Sequence, residues 1–204
     1  MSQSSETPPV DPQALQEADA LVQAGLAASQ ANDADRALDL FAQASAACPS
    51  SGIPHFLAGS EYAARGQIDR AEAELANAVL LAPALHIARY QLGLLQFSTG
   101  RVAVAIVTWG PLFNLDDTHA LGHFVRGFTA LAHDQFAPAK SHFEAGLARN
   151  TDNAALSHDI EQVLRGIHDA QGQPAAPVSP EEPSSGDAAH VLLSNYGKFG
   201  GTLH

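Results

Sequence analysis

The sequence predicts an all-α fold of stacked helical hairpins, and three observations predict it. Small residues recur in fixed phase every 34 positions: Gly25, Gly59, Gly93 and Gly127 in one column, Ala37, Ala71, Ala105 and Ala139 in another. Asn32, Gly66, Gly100 and Asp134, residue types that tolerate the left-handed conformation ending a helix, keep the same interval. So does a large column, Phe41, Leu75, Trp109 and Phe143. Self-similarity at this period is the mark of a repeat of paired helices, each unit burying its apolar face against the next.

Each element has a local reason. Residues 1–10 (MSQSSETPPV) hold almost no core-forming side chains and are expected to be disordered. Asp11 then Pro12 starts a helix, supplying an N-cap oxygen and a first helical residue that needs no N–H partner. Helices follow at about 11–31, 34–48, 52–65, 68–81, 86–99, 102–114, 119–133 and 136–149. The glycine column lies in the first helix of each pair, where glycine costs about 1 kcal/mol relative to alanine. Four such costs in phase imply a second helix passing too close for a Cβ, with the alanine column as its matching small site. The large column is expected to fill the space between hairpins. The sixth helix conflicts with local preference: Val102, Val104, Ile106 and Val107 favour strands, and Gly110-Pro111 interrupts a helix. Phase with three sister units outweighs that preference and predicts a helix that kinks or breaks near Gly110. A ninth helix over about 153–170 carries Ala155, Leu156, Ile160, Val163, Leu164 and Ile167 at helical spacing. Glu161 stands in its glycine phase, so no second helix needs to approach, as expected of a terminal cap.

The chain resembles tetratricopeptide repeat (TPR) proteins. With the alanine column as position 20 of the unit, position 8 is glycine throughout, and the family's position-32 proline is met by Pro49 and Pro83. Asp117 and Thr151 depart from it in the last two units. Position 4, usually Trp, is Leu21, His55, Arg89 and His123, and the position-11 aromatic survives only as Tyr62. The resemblance implies a right-handed α-α superhelix of four hairpins, at about 18–51, 52–85, 86–119 and 120–153, plus the capping helix 153–170, within a domain spanning 11–171. Beyond it come a Pro/Ser/Glu linker, 172–189, and a C-terminal segment, 190–204, that turns apolar at Val191, Leu192, Leu193, Tyr196 and Phe199.

Composition narrows the function. The chain has 204 residues, 46% hydrophobic, with 22 acids against 10 bases and a net charge of −12. That acidity argues against nucleic acid and against an anionic membrane surface. No run approaches the roughly 20 apolar residues of a membrane span, and Met1–Val10 does not read as a signal peptide. Cys48 is the single cysteine, so no internal disulfide framework is expected. These features fit a cytoplasmic protein, and alanine richness with arginine favoured over lysine points to a GC-rich bacterial genome.

Positions 2, 5, 9 and 12 of each first helix form a stripe roughly 130° from the hairpin-packing stripe at positions 4, 7, 8 and 11. By resemblance to the TPR family this stripe lines a concave peptide groove. In the third unit it is Ile87, Tyr90, Leu94 and Phe97, and in the fourth Leu121, Phe124, Phe128 and Leu131. In the second it is Ile53, Phe56, Ser60 and Ala63, and in the first Asp19, Val22, Leu26 and Ser29. The groove is expected to be apolar toward its C-terminal half, with Phe56, Ile87, Tyr90, Leu94, Phe97, Leu121, Phe124, Phe128 and Leu131 as contact residues. The Lys, Arg and Asn of a carboxylate clamp are absent from the stripe. The expected ligand is therefore an apolar segment of a protein or peptide. The C-terminal segment is within reach of the groove: it could occupy it, dock on a neighbouring molecule and link copies into a homo-oligomer, engage a separate partner, or be inert.

No phosphate loop, dinucleotide fingerprint or Gly-x-Ser-x-Gly elbow is present. His119 and His123 stand one turn apart, a spacing that can chelate a metal, but no third ligand is evident. Cys48 has no evident activating base. The expectation is a non-enzymatic adaptor or scaffold without cofactor. The alternative is a chaperone for a hydrophobic secreted protein, since small acidic TPR proteins of bacterial type III secretion resemble this chain in size, charge and groove.

Overall fold

The computed structural model describes residues 12–172, with side chains through 169. Nine α-helices run through them: α1 (Pro12–Gln30), α2 (Ala34–Ala47), α3 (Ile53–Ala64), α4 (Ile68–Leu81), α5 (His86–Ser98), α6 (Val102–Trp109), α7 (Ala120–Leu131), α8 (Phe136–Leu147) and α9 (Ala154–Gly172). A 3-10 segment, Gly110–Asn114, continues α6. No strand occurs among the described residues, and no helix there is long and apolar enough to cross a membrane. α1 packs on α2, α3 on α4, α5 on α6 and α7 on α8, and each pair meets the next through its second helix. The expectations for residues 1–10, the linker and the C-terminal segment lie outside the described residues.

The turn column closes every hairpin the same way. Asn32 and Asp134 adopt φ 59° and 56°, and Gly66 and Gly100 adopt φ 68° and 78°. Behind each, the next residue donates its N–H five residues back: Asp33 to Ala28, Gln67 to Tyr62, Arg101 to Gln96 and Gln135 to Ala130, all at 2.9–3.0 Å. This is the helix-ending motif in which one left-handed residue lets two orphan carbonyls be satisfied.

The glycine column is used differently from the expectation. A Cβ at Gly25 would lie 2.8 Å from Phe41 Cδ1, at Gly59 2.8 Å from Leu75 Cγ, at Gly93 2.5 Å from Trp109 Cδ1 and at Gly127 2.6 Å from Phe143 Cε1. The glycines thus form notches for the large column of their own hairpin, sixteen residues on, rather than facing the alanine column. The large residues do not bridge hairpins alone; each seats inside its own. The alanines are still fully buried.

α6 remains helical despite its β-branched run, and it ends at Trp109, one residue before Gly110. Pro111 begins the tighter turn that follows. Arginines satisfy carbonyls around the break: Arg89 donates to Thr108 O at 3.4 Å, and Arg126 Nη2 to Phe113 O at 2.8 Å. A polar network ties α4, α5 and α6 together. Buried Gln96 donates to Glu72 Oε1 at 3.2 Å and accepts from Thr108 Oγ1 at 2.7 Å, while Arg101 holds Glu72 with two bonds of 2.8 Å. The Arg101 hydrogen bond holds the Glu72 carboxyl below its ordinary value. Asn153 starts α9 by accepting the Leu156 N–H at 3.0 Å, and Leu156, Ile160, Val163 and Ile167 are buried in the last core cluster.

Candidate protein-interaction surface

The apolar stripe of units three and four is where the sequence placed it along the helices, but it is not an open trough. Phe124 is 0% exposed and Phe128 1%, and Phe56, Tyr90, Leu94 and Leu121 are also buried. Ile87, Phe97 and Leu131 are half-buried against the core. The expectation that all nine side chains face a visitor is corrected in that respect. The physical reason is stacking: the first helix of a unit meets its own partner helix and also its neighbour units, so a stripe that is free on an isolated helix is taken up by packing.

The rings show how. Tyr90 stacks on Trp109 (centroids 6.4 Å) and lies against Phe124 (6.4 Å); Phe97 lies 5.8 Å from Trp109 and 5.5 Å from Phe128; Phe128 meets Phe143 edge-on at 5.0 Å. Trp109 Nε1 donates to Tyr90 O at 3.0 Å, so the indole is polar-satisfied as well as buried. Phe124 fills a second glycine notch, since a Cβ at Gly146 on α8 would lie 2.5 Å from Phe124 Cδ1. What remains accessible of the stripe lies toward its two ends: Ile53 (45% exposed) and Ile87 at one, Phe97 and Leu131 at the other. Between units two and three the stripe is polar and bonded, with Ser60 Oγ donating to Gln91 Oε1 at 2.8 Å, and between units one and two Ser29 Oγ donates to Glu61 Oε2 at 2.7 Å.

The histidines pair otherwise than their spacing suggests. His119 lies edge-on to His86 (centroids 5.7 Å) and His123 lies beside His142 (5.8 Å). His123 Nε2 is 3.0 Å from Asp117 O. Burial, then the neighbouring His119 and Arg89, push the His86 pKa down; burial, then His123 and Arg126, do the same to His142. Among the described residues no three His, Cys, Asp or Glu side chains converge in a way that could hold a metal ion. Cys48 is buried, 3.7 Å from Ser50 Oγ. Asp159 is the unexpected ionisable group: on α9, 6% exposed, its Oδ1 without a partner, its pKa raised to about 6 by burial and only partly offset by His158.

Four in-phase hairpins, each closed by a left-handed residue and locked by a glycine notch, decide the architecture. This is a tetratricopeptide repeat fold. The TPR chain is similar to PilF of Pseudomonas aeruginosa (21% identity, 80% of each chain, TM-score 0.60). It is similar also to MamA 41-end from Desulfovibrio magneticus RS-1 (12%, 92% of this chain and 95% of that one, 0.57). YrrB, described as a TPR protein with an unusual peptide-binding site, aligns at 15% identity over 92% of each chain with a TM-score of 0.53. No protein-family model and no curated protein matches the sequence.

One surface escaped the sequence reading. At three outward phases of the second helix, α2 carries Asp35, Arg36 and Asp39, α4 carries Asp69, Arg70 and Ala73, and α8 carries Ala137, Pro138 and Ser141. α6 carries Ala103, Val104 and Val107 there, the one helix of the four with β-branched side chains at these phases. All three are exposed, Val104 at 47% and Val107 at 78%. The β-branched run was legible as an oddity of secondary structure. Comparing the outward columns unit by unit would have shown it as an oddity of surface.

Proposed function

We propose that this TPR chain is a non-catalytic adaptor or scaffold that binds an apolar segment of a protein partner along its concave face. The observation that carries the reading is the accessible remainder of the stripe: Ile53 and Ile87 at one end and Phe97 and Leu131 at the other, flanking a sealed aromatic floor. Ile53 belongs to neither core cluster, while Ile87, Phe97 and Leu131 pack against the core with one side and keep the other accessible. Apolar side chains left accessible on both sides of that floor mark an interaction site. A sealed floor sets the mode. The ligand lies across the helices and contacts the row from above, without driving a large side chain into a deep pocket. Contact residues are then Ile53, Ile87, Phe97 and Leu131, with Gln91 supplying a polar group between them, while Tyr90, Leu94, Phe124 and Phe128 hold the surface in shape from beneath. The similarly folded YrrB has a peptide-binding site, which is consistent with this use of the fold.

The test is site-specific photocrosslinking in cells that make the protein. A benzophenone side chain at Ile53 or Gln91 should capture partner protein, and one at Asp39 or Ala73 on the outward face should not. Capture from the outward positions alone would overturn the concave assignment.

A further inference from the structure

The outward face of α6 is a second apolar surface, separate from the concave row. We propose that it is the docking site for this chain's own C-terminal segment, Val191, Leu192, Leu193, Tyr196 and Phe199, folding back in cis. The inference does not depend on the concave-face proposal.

The face has no structural reason to be apolar. Val107 and Val104 are exposed, and a β-branched residue in an exposed helix position loses side-chain rotamer freedom without packing in return. The same phases hold three charges in α2, two charges and an alanine in α4, and a serine beside Ala137 and Pro138 in α8, so nothing in the repeat requires valines there. Burial of Trp109 and Ala105 accounts for the inner side of α6 but not for Ala103, Val104 and Val107. Exposed Pro111 extends the apolar row past the end of the helix.

Size selects the occupant. α6 has eight residues, about 12 Å of helix. Two turns of small aliphatic side chains fall far short of the roughly 800 Å² per partner of a stable interface between separate molecules. A tethered ligand does not need that area. Residues 173–190 lie between the end of α9 and Val191, eighteen residues that span roughly 25 Å as a coil and roughly 60 Å when extended. α6 stands three helices before α9, within roughly 30 Å at packed helix spacing. Tethering supplies an effective concentration of about 1 mM, so an intrinsic dissociation constant of about 100 μM gives about 90% occupancy. The chain outside the described residues contains one concentrated apolar segment, eighteen residues beyond the end of α9. Docked there, it covers the outward valines and leaves the concave row free.

A full-length protein with a benzophenone side chain at Ser194 tests this, with photoadducts mapped by peptide mass spectrometry. The expected adduct is intramolecular, lies within residues 102–111 and is independent of protein concentration. The double substitution V104R/V107D installs the residues that α2 carries at these phases (Arg36, Asp39) and should keep the fold, as read by circular dichroism. Loss of the two valine contacts weakens docking by about 30-fold and lowers occupancy to about 25%, so the adduct should fall about four-fold. Four results would overturn the proposal: adducts on the Ile87–Phe97 stripe, adducts at dimer mass that grow with concentration, no intrachain adduct, or an α6 adduct insensitive to V104R/V107D. A dimer-mass adduct that maps to residues 102–111 assigns the face to another copy of the chain.

Discussion

Replacing Gly93 by alanine should destabilise the protein, although alanine is the better helix former. The gain from propensity is about 1 kcal/mol. Against it stands the notch. The new Cβ would lie 2.5 Å from Trp109 Cδ1 and 2.6 Å from Cε2, distances that real Cβ atoms do not show. The obstacle is not the tip of a flexible chain. Trp109 is fully buried, ringed by Tyr90, Phe97 and Phe128, and tied by its Nε1 to Tyr90 O at 3.0 Å. Moving it costs about 1–3 kcal/mol in overpacking and about 1–3 kcal/mol if the buried N–H loses its acceptor. The net expectation is a loss of about 1–5 kcal/mol, or about 2–20 °C in Tm for a chain of this size. Trp109 is the single tryptophan, so its emission reports on the notch directly and should shift to the red as the indole loosens. Gly166→Ala is the matched control. It lies in α9 with nothing within 4 Å of the added Cβ, and it should stabilise by about 0.5–1 kcal/mol. Thermal melts followed by fluorescence and circular dichroism compare the two. A Gly93→Ala protein as stable as the parent, with unchanged emission, would refute the notch.

Three other outcomes follow from local geometry. Asp134→Gly removes a side chain from φ 56° and should stabilise by about 1 kcal/mol in a thermal melt, with the same sign for Asn32→Gly. Asp159 carries a folded-state pKa of about 6 against an ordinary 3.8, so the folded state binds its proton more tightly. Its penalty is absent below about pH 4, grows as pH rises through that window and is complete about a unit above the folded-state value, at roughly 1–3 kcal/mol. Asp159→Asn should therefore raise denaturant midpoints at pH 7.5 and leave them nearly unchanged at pH 4. His86 and His142 have folded-state pKa values below the ordinary 6.5, so the unfolded chain binds protons first. Their neutral forms support stability above about pH 6.5, and that support is lost as pH falls through the depressed values. Because Asp159 gains in the same window, the comparison belongs in the Asp159→Asn background, where His86→Gln with His142→Gln should flatten the decline in denaturant midpoint between pH 6.5 and 5.

Much of the architecture could be read from the sequence because the repeat presents each constraint four times. A single Asn32 or Asp134 is an ambiguous polar residue, but in phase with Gly66 and Gly100 each is a left-handed helix end. Val102–Val107 reads locally as a strand and becomes a helix only through Ala105 and Trp109 keeping column. Pairing between columns was not legible in the same way. The interval from Gly93 to Trp109 is as regular as that from Gly93 to Ala105, and periodicity alone cannot say which neighbour fills a notch. The stripe was misjudged for a related reason. An angle of 130° on one helix says that Phe124 and Phe128 face away from positions 4 and 8. It does not say that Gly146 opens space for Phe124, or that Phe97 and Phe143 close over Phe128. Exposure belongs to the stack, and it has to be inferred across units.

The same reasoning explains why the apolar surfaces end up where they do. In units one and two the stripe mixes apolar Val22, Leu26, Ile53 and Phe56 with polar Asp19, Ser29 and Ser60, and the two serines donate to Glu61 and Gln91. In units three and four the stripe is aromatic, and it merges with the large column into one core around Trp109. A stack gains stability from each unit and from each interface with its neighbour. The merged core strengthens the interface between units three and four, where α6 is shortened by Pro111 and has fewer turns to offer. An apolar stripe therefore serves the scaffold first where the second helix is weakest. Large apolar side chains remain exposed among the described residues at Ile53 in the stripe, at Leu15 on α1, at Leu80 and Leu81 near the end of α4, and at Val104 and Val107 on α6. For such a chain, a row that is apolar in sequence marks a contact with its own neighbours, and an apolar side chain that breaks phase with its sister units marks a contact with something else.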